Sequence, residues 1–406
     1  MRKIVILALK GVLRRTTRSG PVILIIATAV LSVHLTIGFI LGSLFGLQFS
    51  IVHGGTGHLQ IGQLEQFMGY TDGGVEHTIS LDQQAAIKSI LDGRDVRVFA
   101  EMNAGGLASN GEKTVPFSGL GLDVGADTRL RRSVSPVLTG QGLRNSKGED
   151  FRATIGQILA EQLSLDVGDA ITLLTTTKQN AINAIDLTVV GLISTGNRFN
   201  DAVLIEMPLR NIQFLLDTED VSRFVVYNDG AAEPVTLAAE LNAQLPDGLQ
   251  ALTWREVEPI YDQIRQSNLA QFTVLAVILS MVVFISLLSA ISASILERKS
   301  QIGVLLALGM RRRAVMGLFL GEGVILSLIG GIVGLSMSFA VSRFLDGAGI
   351  MLPPPPGQNV DVPLVLFWDA PAAAFISLGV IALASLAAAL TVSRLFKRSI
   401  IDLVEG

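Results

Sequence analysis

The sequence predicts a membrane α-helical protein: four transmembrane helices, with a large α+β extracytoplasmic domain inserted between helices 1 and 2. Three observations predict it. The 406-residue chain is 50% hydrophobic and only 16% charged, whereas soluble domains carry about 25% charged residues. Four stretches stay apolar over the roughly 20 residues that a bilayer crossing needs. The charge is also divided. Residues 48–268 hold 16 Lys and Arg against 28 Asp and Glu, a net of −12, and the rest hold 15 against 7, a net of +8. Aromatic residues make up 6%, so the apolar excess is aliphatic, and the lack of cysteine excludes disulfides, thiolate metal sites and a cysteine nucleophile.

Residues 1–20 read as a cytoplasmic amphipathic N-terminal helix. Ile4–Leu13 is apolar but too short to cross, and Arg2, Lys3, Lys10, Arg14, Arg15 and Arg18 flank it. A plain basic flank of the first span is the alternative. Residues 21–47, transmembrane helix 1, carry no charge beyond what His34 could hold. The stretch is far longer than the roughly 7–15 apolar residues of a cleaved signal, which predicts an uncleaved anchor. Transmembrane helix 2 is 269–296, helix 3 is 314–343 with a single acid, Glu322, and helix 4 is 370–393.

Basic residues orient these spans. The 297–313 linker has Arg298, Lys299, Arg311, Arg312 and Arg313, and the 394–406 tail has Arg394, Lys397 and Arg398. The 344–369 loop has Asp346, Asp361 and Asp369 with no Lys or Arg. Both termini and the linker are therefore expected in the cytoplasm, and 48–268 and the 344–369 loop outside. That loop holds Pro353–Pro356, a stiff polyproline rod without backbone donors. It is read as a rigid spacer, as a lip beside a lateral lipid entrance or as a contact for the outer domain.

Within 48–268, β-branched or alternating runs predict strands at Val96–Met102, Lys113–Leu122, Ala170–Thr176, Leu187–Ile193, Ala202–Ile205 and Phe224–Tyr227. Helices are predicted at Leu81–Leu91 behind Ser80, Gly156–Leu163, Leu209–Leu216 and Val235–Leu245, with a turn at Asn228-Asp229-Gly230. Trp254–Asn268 is helical in pattern and runs, after Pro259, into span two as a stalk. His53 and His58 could be a zinc pair or ordinary juxtamembrane residues, and no metal-ligand spacing accompanies them or His77. Gly119/Gly121 and Gly140/Gly142 read as turns. No G-x-x-x-x-G-K-[ST] occurs, so any ATP must be bound by another chain.

The stretch Glu297–Gly334 is the most informative. Ser300–Leu308 is a short amphipathic helix with Ile302, Leu305, Leu306 and Leu308 apolar and Gly309 as its stop. An apolar helix of this length between two spans can lie on the membrane or dock in a partner's groove. Glu297-Arg298, Ile302-Gly303, Leu305, Ala307, Gly309, Glu322-Gly323 and Gly330-Gly331-Ile332-Val333-Gly334 together resemble the signature of the FtsX-type permeases of ABC transporters, the MacB and LolC/LolE lipoprotein-releasing superfamily. Gln301 and Leu306 depart from it, where the family often has Glu and Arg. The outer run Ile158–Asp169 followed by Leu187–Gly191 resembles the MacB-like periplasmic domain, so 48–268 is assigned to it.

The resemblance implies a mechanical role without catalytic or metal-binding residues. Glu297, Arg298, Ile302, Gly303, Leu305, Leu306, Leu308 and Gly309 would couple to two copies of a cytoplasmic ABC ATPase carrying ATP and Mg. A second permease, identical or a paralogue, would complete an inner-membrane assembly. Gly38, Gly42 and Gly46 on span one, and Gly317/Gly321 and Gly330/Gly334 on span three, repeat the small-residue spacing of close helix packing. Span one's set would face the second permease or the chain itself, and span three's would pack internally. Glu322 would snorkel, pair with an arginine or serve coupling. Lipoprotein release or lipid traffic is the leading expectation, with a lipoprotein, lipid or amphipathic substrate and a periplasmic carrier or adaptor, and without nucleic acid. Drug or peptide efflux and regulation of cell-wall hydrolases are the alternatives.

Overall fold

The computed structural model describes residues 16–67, 77–124, 134–143, 151–228, 233–297, 302–304, 308–352 and 361–395. The expected helix over 4–13, the tetraproline run, the 229–230 turn and the basic tail from 397 lie outside them. The chain forms two compact units, residues 45–263 with 352–362, and 1–44 with 264–351 and 363–406.

The first unit is a ten-stranded mixed sheet. Its strands are β1 (Leu59–Gln63), β2 (Val96–Ser109), β3 (Thr114–Leu122), β4 (Val137–Gly140), β5 (Arg152–Gly156), β6 (Ala170–Thr176), β7 (Ile182–Ile193), β8 (Leu204–Pro208), β9 (Arg223–Asn228) and β10 (Leu249–Thr253). The order is β10-β1-β9-β2-β3-β8-β5-β7-β4, with β6 spanning β2 and β7. Pairs β3–β8 and β5–β7 are parallel and the remaining pairs antiparallel. The long β2 is the shared spine. Its first half pairs with β9 and its second with β3 and β6. Gly106 permits the second pairing, because a methyl there would lie 2.1 Å from the Leu174 carbonyl oxygen.

Two apolar cores follow from this spine. One buries Leu59, Ile61, Phe224, Val226 and Ala251 against Ile87 and Leu91 of helix Leu81–Leu91 and Leu237 and Leu241 of helix Pro234–Asn242. The other buries Met102, Phe117, Ile155, Val189 and Ile205 against helices Gln157–Leu163 and Leu209–Leu216. Helix Leu81–Leu91 begins where predicted because Ser80 and Gln83 form a reciprocal capping box.

Among the described residues, the second unit gathers four helices long and apolar enough to cross a membrane, within Thr16–Ile51, Ile260–Glu297, Arg312–Ala348 and Ala370–Leu395. Their common core joins Ile26 and Val30, Val283 and Leu287, Phe319 and Leu326, and Ala384 and Ala387. On the third helix the inward residues are Val315, Phe319, Glu322, Leu326, Gly330, Gly334, Ser338 and Ser342, a three-to-four-residue spacing that makes one face.

Candidate functional site

The segment between the second and third helices separates its apolar residues by environment. Glu297 ends the second helix, exposed. Ile302 is 3% exposed and belongs to the helical core, with Gly303 buried beside it. Val304, Leu308 and Met310 point outward, Leu308 at 80% exposure. The Leu308 amide donates to the Val304 carbonyl at 2.9 Å, and Gly309 reverses the chain at φ +89°. That left-handed conformation favours glycine. Arg311 is extended, and the third helix begins at Arg312. Arg298, Leu305 and Leu306 lie outside the described residues. Among the described residues of this segment, Ile302 packs in the helical core and Leu308 is the most exposed apolar side chain. Val304 and Met310 were missed in the sequence because helical periodicity from Ser300 favours neither; the turn at Gly309 exposes Met310.

The glycine pairs pack in different ways. A methyl on Gly330 would lie 2.7 Å from the Ile26 side chain, and one on Gly334 2.6 Å from the Ala27 carbonyl oxygen, so these glycines admit the first helix. On the first helix, a methyl on Gly38 would meet the Phe367 carbonyl oxygen at 2.4 Å and one on Gly42 the Val365 oxygen at 2.1 Å. The chain's own segment before the fourth helix occupies this part of the face. Gly46 and Gly317 have nothing within 4 Å of an added methyl, and Gly321 is half-buried. Glu322, 9% exposed, lies on the inward face of the third helix.

The first unit begins and ends at one place. Leu59 of β1 faces Thr253 of β10, and the Trp254 amide donates to the His58 carbonyl. Before β1 the chain makes a π-helical turn, Val52–Thr56, with Gly55 at φ +131° and Gly57 at +67°. Past β10, Thr253 and Glu256 cap the short helix Trp254–Val257 reciprocally. Tyr261 then stacks edge-on to Trp254 with centroids 4.7 Å apart, and the Arg255 guanidinium lies 5.3 Å from each ring. Pro259 interrupts the helix, and Ile260–Glu297 continues as one rod.

An ion pair underlies this junction. Arg223 of β9 holds the fully buried Glu101 of β2 through two nitrogens, at 2.9 and 3.0 Å. Burial pushes the Glu258 carboxyl above the usual carboxylate range, and the Arg223 guanidinium pulls it part of the way back. His58 accepts the Asn228 amide at 3.1 Å through Nδ1, and His53 stacks on Phe49 at 4.1 Å. Among the described residues, no group of three or more His, Asp and Glu could hold a metal ion.

Two family models match the chain. The MacB-like periplasmic core domain covers residues 21–245, and the FtsX-like permease C-terminal domain covers 273–400. The lipoprotein-releasing system transmembrane protein LolC of Xylella fastidiosa is 22% identical over 233 residues, 55% of each chain. The macrolide export ATP-binding/permease protein MacB of Psychrobacter arcticus is 30% identical over 95 residues, 22% of this chain and 14% of that protein. The matched stretch thus spans about a seventh of that curated relative. The periplasmic region of MacB from Actinobacillus actinomycetemcomitans is 10% identical, with a TM-score of 0.37 over 53% of this chain and 94% of that one.

Proposed function

Because the chain belongs to the FtsX-type ABC transporter permeases with a MacB-like periplasmic core domain, we propose that it converts ATP hydrolysis on a separate ATPase into movement of its sheet domain. The observation that carries this reading is the split in the 302–310 segment. Ile302 is buried among the apolar helices while Leu308 stands 80% exposed. In this reading a push on Leu308 would be delivered to the helical core. ATP and Mg would reside on the partner, and Glu297, Arg298, Gly303 and Gly309 would frame the contact. The termini and this segment would face the cytoplasm, as their basic residues suggest.

For cargo, release of lipoproteins or movement of lipids at the outer face of the inner membrane is the reading we favour. The LolC relative supports it through a match across more than half of each chain. Efflux of drugs or peptides through an adaptor is the second reading, supported by the MacB relative. Mass spectrometry of lipid and lipoprotein retained by the purified complex separates them.

Leu308→Asp tests the coupling. The side chain is exposed, so membrane insertion is expected to be retained, while ATPase co-purification or substrate-stimulated hydrolysis falls at least about tenfold, the cost of a charge in an apolar contact. Unchanged hydrolysis in that variant overturns the docking role. Leu308→Cys in this cysteine-free chain reports the side through labelling with an impermeant maleimide. Labelling from the exterior would sink the orientation.

A further inference from the structure

The segment leading into the fourth helix lies on the first helix as extended chain. Val365 stands at Gly42, Phe367 at Gly38 and Asp369 at His34. Eight residues of helix separate Gly42 from His34, so the segment runs about 12 Å along the axis. It does so inside the uncharged 21–47 stretch. Extended backbone in such surroundings needs partners for its polar groups. The neighbouring helices supply them. The Phe367 amide donates to the Gly38 carbonyl at 3.1 Å, and the Leu366 amide donates to Asp346 Oδ1 of the third helix at 3.3 Å.

The last partner is a side chain. His34 is 1% exposed, and its Nε2 lies 3.3 Å from the Asp369 carbonyl oxygen. A carbonyl only accepts, so Nε2 carries the proton. Nδ1 lies 2.7 Å from the hydroxyl of Ser338, which is fully buried on the third helix. Trp368, tilted 5.5 Å from the imidazole and edge-on to Phe339 at 5.7 Å, closes over it. Asp369 then caps the fourth helix, accepting the Ala372 amide at 2.8 Å. One imidazole thus joins the first helix, the third helix and the start of the fourth. An ionisable side chain inside an apolar span marks function more often than filling.

We propose that Val365–Asp369 is a strap that closes the Gly38–Gly42 face of the first helix, and that His34 is its latch. The face can receive another helix or an apolar chain only after the strap lifts. Lifting it requires His34 to release Asp369 and Gly38 to release Phe367. His34 is a positioning residue: it acts through the strap.

Amide exchange on the full-length chain in lipid nanodiscs tests this. His34→Phe keeps the ring and removes both hydrogen bonds. Exchange at 366–369 is expected to rise roughly tenfold, while β2 and β9 of the sheet domain, the folding control, stay protected. Gly42→Ala, with His34 intact, is expected to loosen the same segment through the Val365 oxygen. Trp368 is an independent reporter, since Trp254→Phe removes the other tryptophan. Adding His34→Phe to that background should raise acrylamide quenching of Trp368 at least about twofold. Unchanged exchange at 366–369 in both variants, or unchanged quenching, overturns the latch. Loosening with Gly42→Ala alone keeps the strap and removes His34 from the role.

Discussion

Asp201 and Glu258 show how a single carboxyl is set by what surrounds it. Asp201 is fully buried and accepts from the Ser194 hydroxyl and from the Thr195 amide and hydroxyl at 2.7–2.8 Å. Asp201→Ala removes these three hydrogen bonds from a buried site, so a loss of roughly 2–4 kcal/mol is expected, measured as a lower denaturation midpoint. Glu258 is set by burial. Its folded pKa is raised by burial, so the folded state binds a proton more readily than the unfolded chain. The stability it contributes is complete below the ordinary carboxylate pKa and is lost as pH rises through the raised value. Glu258→Gln is therefore expected to melt above the parent at neutral pH, with the gap closing in acid. A gap that stays constant across pH would show that the carboxyl does not titrate differently on folding. The Glu258 environment is not legible in sequence, because Arg223 beside it comes from β9, whereas the Asp201 partners Ser194 and Thr195 lie within the same turn of chain. His34 was visible as the one titratable group in span one, but its partners Ser338 and Asp369 lie some 300 residues away.

At the scale of elements, what is local was readable. Leu81–Leu91, Ala170–Thr176 and Leu209–Leu216 start and end where their apolar spacing and caps place them. Within the ten-stranded sheet, the strands that sequence reasoning missed are β1, β4, β5 and β10. They are short, and β1 reads Leu-Gln-Ile-Gly-Gln with Gln60 buried at 3% on the face away from Leu59. Its strand character comes from β9 and β10, not from its own composition. The Thr253-x-x-Glu256 box before the stalk was a signal in plain view. Gly106→Val is expected to part β6 from β2 at a cost of about 1–3 kcal/mol, with the hairpin β6–β7 exchanging faster. Gly334→Leu is expected to separate the first and third helices and lower the yield of folded protein in detergent. Gly317→Leu, with open space beside it, is the tolerated control. Equal yields for the two variants would remove the packing role given to Gly334.

Across the whole molecule, the first and second helices join the sheet through different local structures, and under the proposed coupling these would be routes of unequal stiffness. The second helix leaves the sheet through Trp254, Arg255 and Tyr261, two rings and one cation in contact. The first enters through a π-turn with two glycines at positive φ. Inserting two glycines between Val257 and Glu258 is therefore expected to reduce substrate-stimulated ATP hydrolysis to the basal rate, whereas the same insertion after Gly55 retains most of it. Matching losses at the two positions would refute unequal stiffness. The hydropathy of the chain disclosed four long apolar helices and the polar α+β domain between the first two, because an apolar run of bilayer length is a local property. It could not disclose that β1 and β10 are neighbours. That adjacency makes the sheet domain a cassette. Its two ends leave as partners of one ladder, so another fold with similarly spaced ends could be grafted there without retuning the helices. Under the proposed coupling, a new cargo would then follow from a new head on the same helices.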